Sequence, residues 1–169
     1  MSQRKYYCGI DPGIYGSVVV IDNFMNVSFF SDMPLITIGG RKCYDNVMLI
    51  KIIDKLLEYY PTICIEAQQA MPHQHAVGTF NTGYGYGLLV GMITCAGLKY
   101  FTCRPQIWQK KALAGQPGKG KMRAIIRCEQ LFPKLPLGIN GGRKIFDGRA
   151  DAAMIAYYSY LLDSGKDND

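Results

Sequence analysis

No CxxC pair occurs in this chain, although it has six cysteines, at positions 8, 43, 64, 95, 103 and 128. Finger and ribbon frameworks need thiolates paired at short spacing, so the pattern speaks against them. A zinc set drawn from His73, His75, Cys95 and Cys103 has no finger spacing either. Several cysteines sit inside apolar runs such as "TICIEA", and they read as free thiols in a reducing compartment. Long apolar runs are also missing. "GSVVVI" and "GLLVGMITCAG" are too short or too rich in glycine for a membrane span. The start "MSQRKYYCGIDPG" has no h-region, and the expectation is a soluble intracellular protein. There is no low-complexity segment, internal repeat or linker. With 169 residues, 49% of them hydrophobic and 19% charged, the chain can build one ordinary core. A single domain is assigned to 1–163, followed by a polar tail at 164–169.

Acids are scarce in one third of the chain. Between Lys99 and Arg149 lie twelve Lys and Arg but only Glu129 and Asp147, against a net charge of +6 for the whole sequence. A concentrated basic segment is the electrostatic footprint of a polyanionic partner, or else a solvated face.

Three β-rich runs, "KYYCGID", "GSVVVID" and "VSFFSDM", predict an antiparallel meander. "PLITIGGRKCY" reads as a loop. "DNVMLIKIIDKLLEYYP" predicts a helix with Asp45 as N-cap and an apolar stripe at Leu49, Ile50, Ile53, Leu56, Leu57 and Tyr60. "TICIEA" is a short buried strand and "QQAMPHQHAVG" a loop. A glycine-rich helix is expected over about 79–96. "LKYFTCRP" is a strand, "PQIWQKKAL" a short helix and "KMRAIIRCEQLF" another. "PKLPLGINGGRKIF" is irregular, and a final helix begins near Asp147. Strands alternating with helices after an antiparallel start predict an α/β fold, a mixed five-stranded sheet flanked by helices.

Carboxylates fall where such sheets place their chemistry. Asp11 ends the first strand and Glu66 ends "TICIE". If those strands are parallel neighbours, the two side chains stand together, and the last helix can bring Asp147 and Asp151 to the same spot. Four clustered carboxylates repel unless cations hold them, and hard oxygen donors suit Mg²⁺ or Mn²⁺. Two such ions can activate a water and stabilise the leaving oxygen of a phosphodiester. Taken singly, each carboxylate could equally cap a turn or a loop. Ala150, Ala152 and Ala153 are small enough to let the helix approach the sheet.

"GIDPGIYGS", "CIEAQ", "GYGYGLLVG", "GKGKMRA" with "LFP" ten residues after its second lysine, and "DGRADAAMIA" occur in this order. The set, spread over about 6–160, resembles the RuvC-like Holliday-junction resolvases, and most of all their bacteriophage and plant-plastid branch. The resemblance implies an RNase H-like fold, a homodimer, and cleavage of four-way DNA junctions with two divalent metals per active site. It implies metal-ligand roles for Asp11, Glu66 and Asp151. It also implies one for Asp147, whose spacing of four from Asp151 differs from the three of the bacterial enzymes. Lys121 matches a lysine near the scissile phosphate, with Lys119 as its rival. Tyr84 or Tyr86 is expected at bases near the crossover, and Lys119, Lys121, Arg123 and Arg149 at phosphates, Arg149 being alternatively a carboxylate partner. The loop carrying His73, Gln74 and His75 could face DNA. The function expected is that of a crossover junction endodeoxyribonuclease. The alternatives are an RNase H-fold nuclease for other branched DNA or RNA–DNA hybrids, and a non-catalytic junction-binding protein. An actin-like ATPase shares a "GIDPG"-type turn, but the chain is too short for two lobes. No second phosphate loop is visible, so no nucleotide cofactor is expected.

Overall fold

The computed structural model describes residues 4–69, 76–118, 120–138 and 146–165. The meander forms as expected: β1 (Tyr6–Ile10), β2 (Ser17–Asp22) and β3 (Val27–Asp32) pair antiparallel in that order. Every residue of β2 is buried. A strand covered on both faces has no polar alternation, which is why "SVVVID" is apolar almost throughout. β6 (Thr62–Glu66) joins the other side of β1 in parallel, and β7 (Tyr100–Cys103) joins β6 in parallel. The sheet order is β3-β2-β1-β6-β7.

Side chains of β1 alternate between two cores. Cys8 and Ile10 face α1 (Asn46–Tyr59) and α2 (Ala76–Cys95), with Leu49, Ile53, Leu89 and Ile93. Tyr7 faces the opposite layer, where α3 (Pro105–Ala112), α4 (Lys121–Leu131) and α5 (Asp147–Asp163) contribute Trp108, Ile125, Cys128 and Ile155. α5 is the buried helix of that layer. Tyr7 also donates its hydroxyl to Asp163 at 2.7 Å, which ties the helix end to the sheet.

Two expectations change. The "PLITIGGRKCY" segment is not a loop but a separate hairpin, β4 (Leu35–Ile38) and β5 (Arg41–Tyr44). Gly39 and Gly40 both have positive φ, 55° and 76°, the backbone that a two-residue hairpin turn demands. In α1, Asp45 does cap the helix, accepting from the Val47 and Met48 amides at 3.1 Å. The buried stripe, however, is Leu49, Ile52, Ile53 and Leu56, while Ile50, Leu57 and Tyr60 are exposed. One helix face spans i, i+3, i+4 and i+7, and residues 50 and 57 lie a further 100° around it. α2 starts slightly earlier than expected. The six cysteines are free thiols, with the Cys64 and Cys103 sulfurs 3.2 Å apart.

Candidate active site

Asp11 follows directly on β1, and its Oδ1 accepts from the Gly13 amide at 3.0 Å. Ile10 lies opposite Ile65 in the parallel pair, so Asp11 and Glu66 leave adjacent strand ends side by side. Glu66 is oriented from two sides. Its Oε2 accepts from the Trp108 indole Nε1 at 2.8 Å, and its Oε1 from Gln68 Nε2 at 3.2 Å. Asp147 opens α5 and is ion-paired with Lys121, the first residue of α4. Asp151 sits one turn further along α5, half-buried.

α5 reaches this position because β1 lacks a side chain where the two meet. A Cβ on Gly9 would stand 2.0 Å from the Ala152 carbonyl oxygen and 2.3 Å from the Ala156 nitrogen. Gly9 with Ala152 and Ala156 therefore brings helix backbone against strand backbone, and Asp151 comes in with it.

The groups feel one another. Burial, then the charges of Asp11, Glu66 and Asp147, push Asp151 up to about 7 against the pull of Lys121. Burial raises Asp11 despite its Gly13 hydrogen bond, with Asp147 adding and Lys121 opposing. Burial likewise raises Glu66, opposed by Trp108 and Gln68 and reinforced by Asp11. Lys121 is raised chiefly by its hydrogen bond to Asp147. Like charges in a half-buried cluster resist ionisation until a cation arrives.

Among the described residues no three acidic, histidine or cysteine groups stand at common ligation distance. Two of the carboxylates are otherwise engaged, Asp147 with Lys121 and Glu66 with Trp108. The donor chemistry fits a hard divalent ion: oxygens only, three of the carboxyls held above their usual range, on elements that converge.

Other expected residues divide. Tyr84 is exposed and stacks on Phe80, whereas Tyr86 turns toward Thr102 and packs on the core. Arg123 donates to the Leu113 carbonyl at 2.8 Å and the Gln116 carbonyl at 3.2 Å, strapping the α3–α4 connection. Arg149 donates from Nε and Nη2 to both oxygens of Asp32, each at 2.6 Å, and lies over the Phe146 ring. Asp32 is thus the carboxylate partner that was one of its two expected roles. Lys119, His73, Gln74 and His75 lie outside the described residues. Trp108, Gln68 and Asp32 were not legible as site residues. The single tryptophan following "RPQI" was the only signal, and nothing in the sequence pairs it with Glu66.

Asp32 makes a pH prediction possible. Burial opposes its ionised form, but the Arg149 hydrogen bonds and charge, with the Ser17 hydroxyl, outweigh it and hold the carboxyl below the usual range. A depressed carboxyl stabilises the fold above its unfolded pKa, and the gain is lost as pH falls through the folded value. The pair is partly exposed, so its contribution is discounted to about 1 kcal/mol. Asp32→Asn is expected to lower Tm by about 2–4 °C at pH 7. Melting curves from pH 7 down to 2 should show that gap closing below about pH 4.

No family model and no curated protein matches the chain. Among solved structures it is similar to Thermus thermophilus RuvC, at 16% identity and a TM-score of 0.63, covering 95% of this chain and 96% of that one. It is similar also to T. thermophilus RuvC in complex with a Holliday junction substrate, at 15% identity and a TM-score of 0.62, over 95% and 96% of the two chains. At such identities the likeness speaks of architecture. The five-stranded mixed sheet with its flanking helices is the RNase H-like fold of RuvC.

Proposed function

We propose that this chain is a divalent-metal-dependent, structure-selective DNA endonuclease that resolves four-way junctions by paired symmetric nicks. The observation that carries the reading is the convergence at one end of the sheet of Asp11 and Glu66, on adjacent strand ends, with Asp147 and Asp151 of α5 and with Lys121, which is ion-paired to Asp147. The fold likeness to a junction-bound RuvC supports the substrate. So does the basic segment between Lys99 and Arg149. Residues 1–163 form the catalytic unit, within the bacteriophage and plastid branch. A twofold dimer suits a substrate that needs two symmetric cuts. No helix among the described residues is long and apolar enough to cross a membrane.

Asp11, Glu66 and Asp151, with Asp147 beside them, would hold two Mg²⁺ or Mn²⁺ ions. Such ions lower the pKa of a bound water and offset charge on the phosphate. The chain's own residues do the rest. Trp108 and Gln68 fix the rotamer of Glu66. The Asp147 pair keeps Lys121 protonated and aimed at the cluster, where it can meet the phosphate as negative charge builds. Water adds to phosphorus and the 3′ oxygen leaves, so the products are a 5′-phosphate and a 3′-hydroxyl that a ligase can rejoin.

The test is strand cleavage of a labelled mobile four-way junction beside a linear duplex of the same sequence, with and without Mg²⁺ or Mn²⁺. Paired nicks in the junction alone support the proposal. Equal cutting of both substrates leaves a nuclease for other DNA or hybrid forms, and binding without nicks leaves a junction-binding protein. Lys121→Ala is expected to cut about 10²-fold more slowly with near-normal affinity. An unchanged rate under single-turnover conditions would move the role to Lys119.

A further inference from the structure

Three of the site's carboxylates stand on two segments that are far apart in the sequence. Asp11 opens the connection 11–16 between β1 and β2, whereas Asp147 and Asp151 lie in α5. No side chain caps the start of α5, so its first turn is held by contacts from elsewhere. It rests directly on the Asp11 connection. A Cβ on Gly148 would stand 2.2 Å from the Tyr15 carbonyl oxygen and 2.8 Å from the Gly16 Cα.

Asp32, at the end of β3, joins the two segments. Its Oδ1 accepts at 3.0 Å from the hydroxyl of Ser17, which opens β2 and is also its partner in the β2–β3 register. The next amide, that of Met33, donates to the Gly16 carbonyl at 3.0 Å. From the other side Asp32 receives the fork of Arg149. Arg149 also donates from Nη1 to the Pro136 carbonyl at 2.6 Å. Its guanidinium lies 4.4 Å from the ring centroid of Phe146, the residue before α5, and 5.2 Å from that of Phe30 on β3. All three guanidinium nitrogens thus donate within the protein. With only 14% of the side chain exposed, little of Arg149 is left to meet a phosphate.

Helix geometry gives this contact its consequence. Asp147 and Asp151 are one turn apart and share a face of α5. Arg149, two residues from each, leaves from the opposite side. A bidentate fork is directional, so fixing Arg149 against β3 fixes the rotation of α5 about its axis. That rotation decides where the two aspartates point.

We propose that Asp32 and Arg149 are positioning residues for the metal centre: by locking the first turn of α5 to the start of β2, they set Asp147 and Asp151 in register with Asp11. The pair itself touches neither cation nor DNA. Carboxylates from separate segments hold a shared cation well only when their spacing is set beforehand, and the groups that orient them carry part of the affinity. The inference rests on the nuclease reading.

The test titrates full-length protein, free of DNA, with Mn²⁺ and follows the unbound ion by electron paramagnetic resonance, well below Tm. Asp32→Asn and Arg149→Met should each bind Mn²⁺ about tenfold more weakly than wild type. The double variant should be no weaker than Arg149→Met alone, because the two changes break one link. Gel shifts of a four-way junction in EDTA should give wild-type affinity throughout. Cutting by the variants should need more Mn²⁺ to reach half its full rate and approach the wild-type rate at saturation. A purely structural pair would lower Tm and leave the Mn²⁺ curves unchanged, which would overturn the proposal. Junction affinity that falls in Arg149→Met and holds in Asp32→Asn would also overturn it, because that is the mark of a phosphate contact. Asp32→Asn removes a charge and almost no volume, so it keeps the test decisive even if Arg149→Met does not fold. Wild type that cuts, beside variants with unaltered Mn²⁺ curves, overturns the positioning role alone. Wild type that takes up no Mn²⁺ and cuts nothing overturns the nuclease reading with it.

Discussion

Asp151→Asn should bind a four-way junction as the wild type does and cut it at least about 10³-fold more slowly. The substitution keeps shape and removes charge from a half-buried carboxyl set between Asp11, Glu66 and Asp147. Packing around Ala150, Ala152 and Ala153 stays as it is, so the variant folds. What it loses is a hard anionic donor, and donors that hold catalytic cations contribute several kcal/mol to phosphoryl chemistry. Stability gives a second readout, and its sign runs opposite to activity. In metal-free protein the Asp151 carboxyl is pushed up to about 7 by burial first and its acidic neighbours next. A carboxyl raised in the folded state disfavours folding once pH exceeds the unfolded value near 4, and increasingly so up to about 7. Metal-free Asp151→Asn should therefore melt higher than wild type at pH 7.5 and equal to it near pH 4. Mg²⁺ or Mn²⁺ should raise the wild-type Tm more than the variant's. A variant that melts lower and loses binding would return Asp151 to a structural role. Gel-shift, cleavage and melting assays on one preparation decide it.

Gly9→Val should cost about 3 kcal/mol or more and take activity with it. A Cβ at residue 9 meets helix backbone at 2.0 and 2.3 Å, and backbone has no rotamer with which to yield. α5 must move outward along β1, opening the layer that holds Met154 and Ile155, both fully buried. Overpacking of this kind typically costs about 1–3 kcal/mol when side chains can adjust, and more when they cannot. For a chain of this size that corresponds to a Tm lower by about 6–12 °C. Even a partly folded variant carries Asp151 away from Asp11 and Glu66, so cleavage should fall further than the folded fraction does. Gly87→Ala is the contrast. Its added methyl has nothing within 4 Å, and replacing a mid-helix glycine should raise stability by about 0.5–1 kcal/mol. Urea unfolding of the two variants beside wild type measures both signs. A tolerated Gly9→Val would mean that close backbone approach is not what seats α5.

The cases where reading the sequence fell short share one cause. Ile50 and Leu57 are apolar and helically spaced, yet they face solvent, because periodicity names a stripe about one residue wider than the core accepts. The "ITIGGRKC" segment has alternation and a Gly-Gly turn, yet its outward residues are apolar enough to hide the hairpin pattern. Arg149 offered two partners, and only the end of β3, over a hundred residues earlier, supplies Asp32. The tyrosines of α2 read alike, and helix rotation alone turns Tyr86 in and Tyr84 out.

By itself the sequence determined the order of the helices and of the five main-sheet strands (though not the β4–β5 hairpin), the α/β class, and the four carboxylates as the groups to watch. These depend on local periodicity, strand-end position and charge, which are written along the chain. The tertiary structure alone decided what meets what. Trp108 orients Glu66, Gly9 admits α5, Asp32 engages Arg149, and Tyr44 joins the hairpin to the Asp11 turn. Each of these joins residues from different elements, and contact between distant segments is set by how faces pack, which no local pattern encodes.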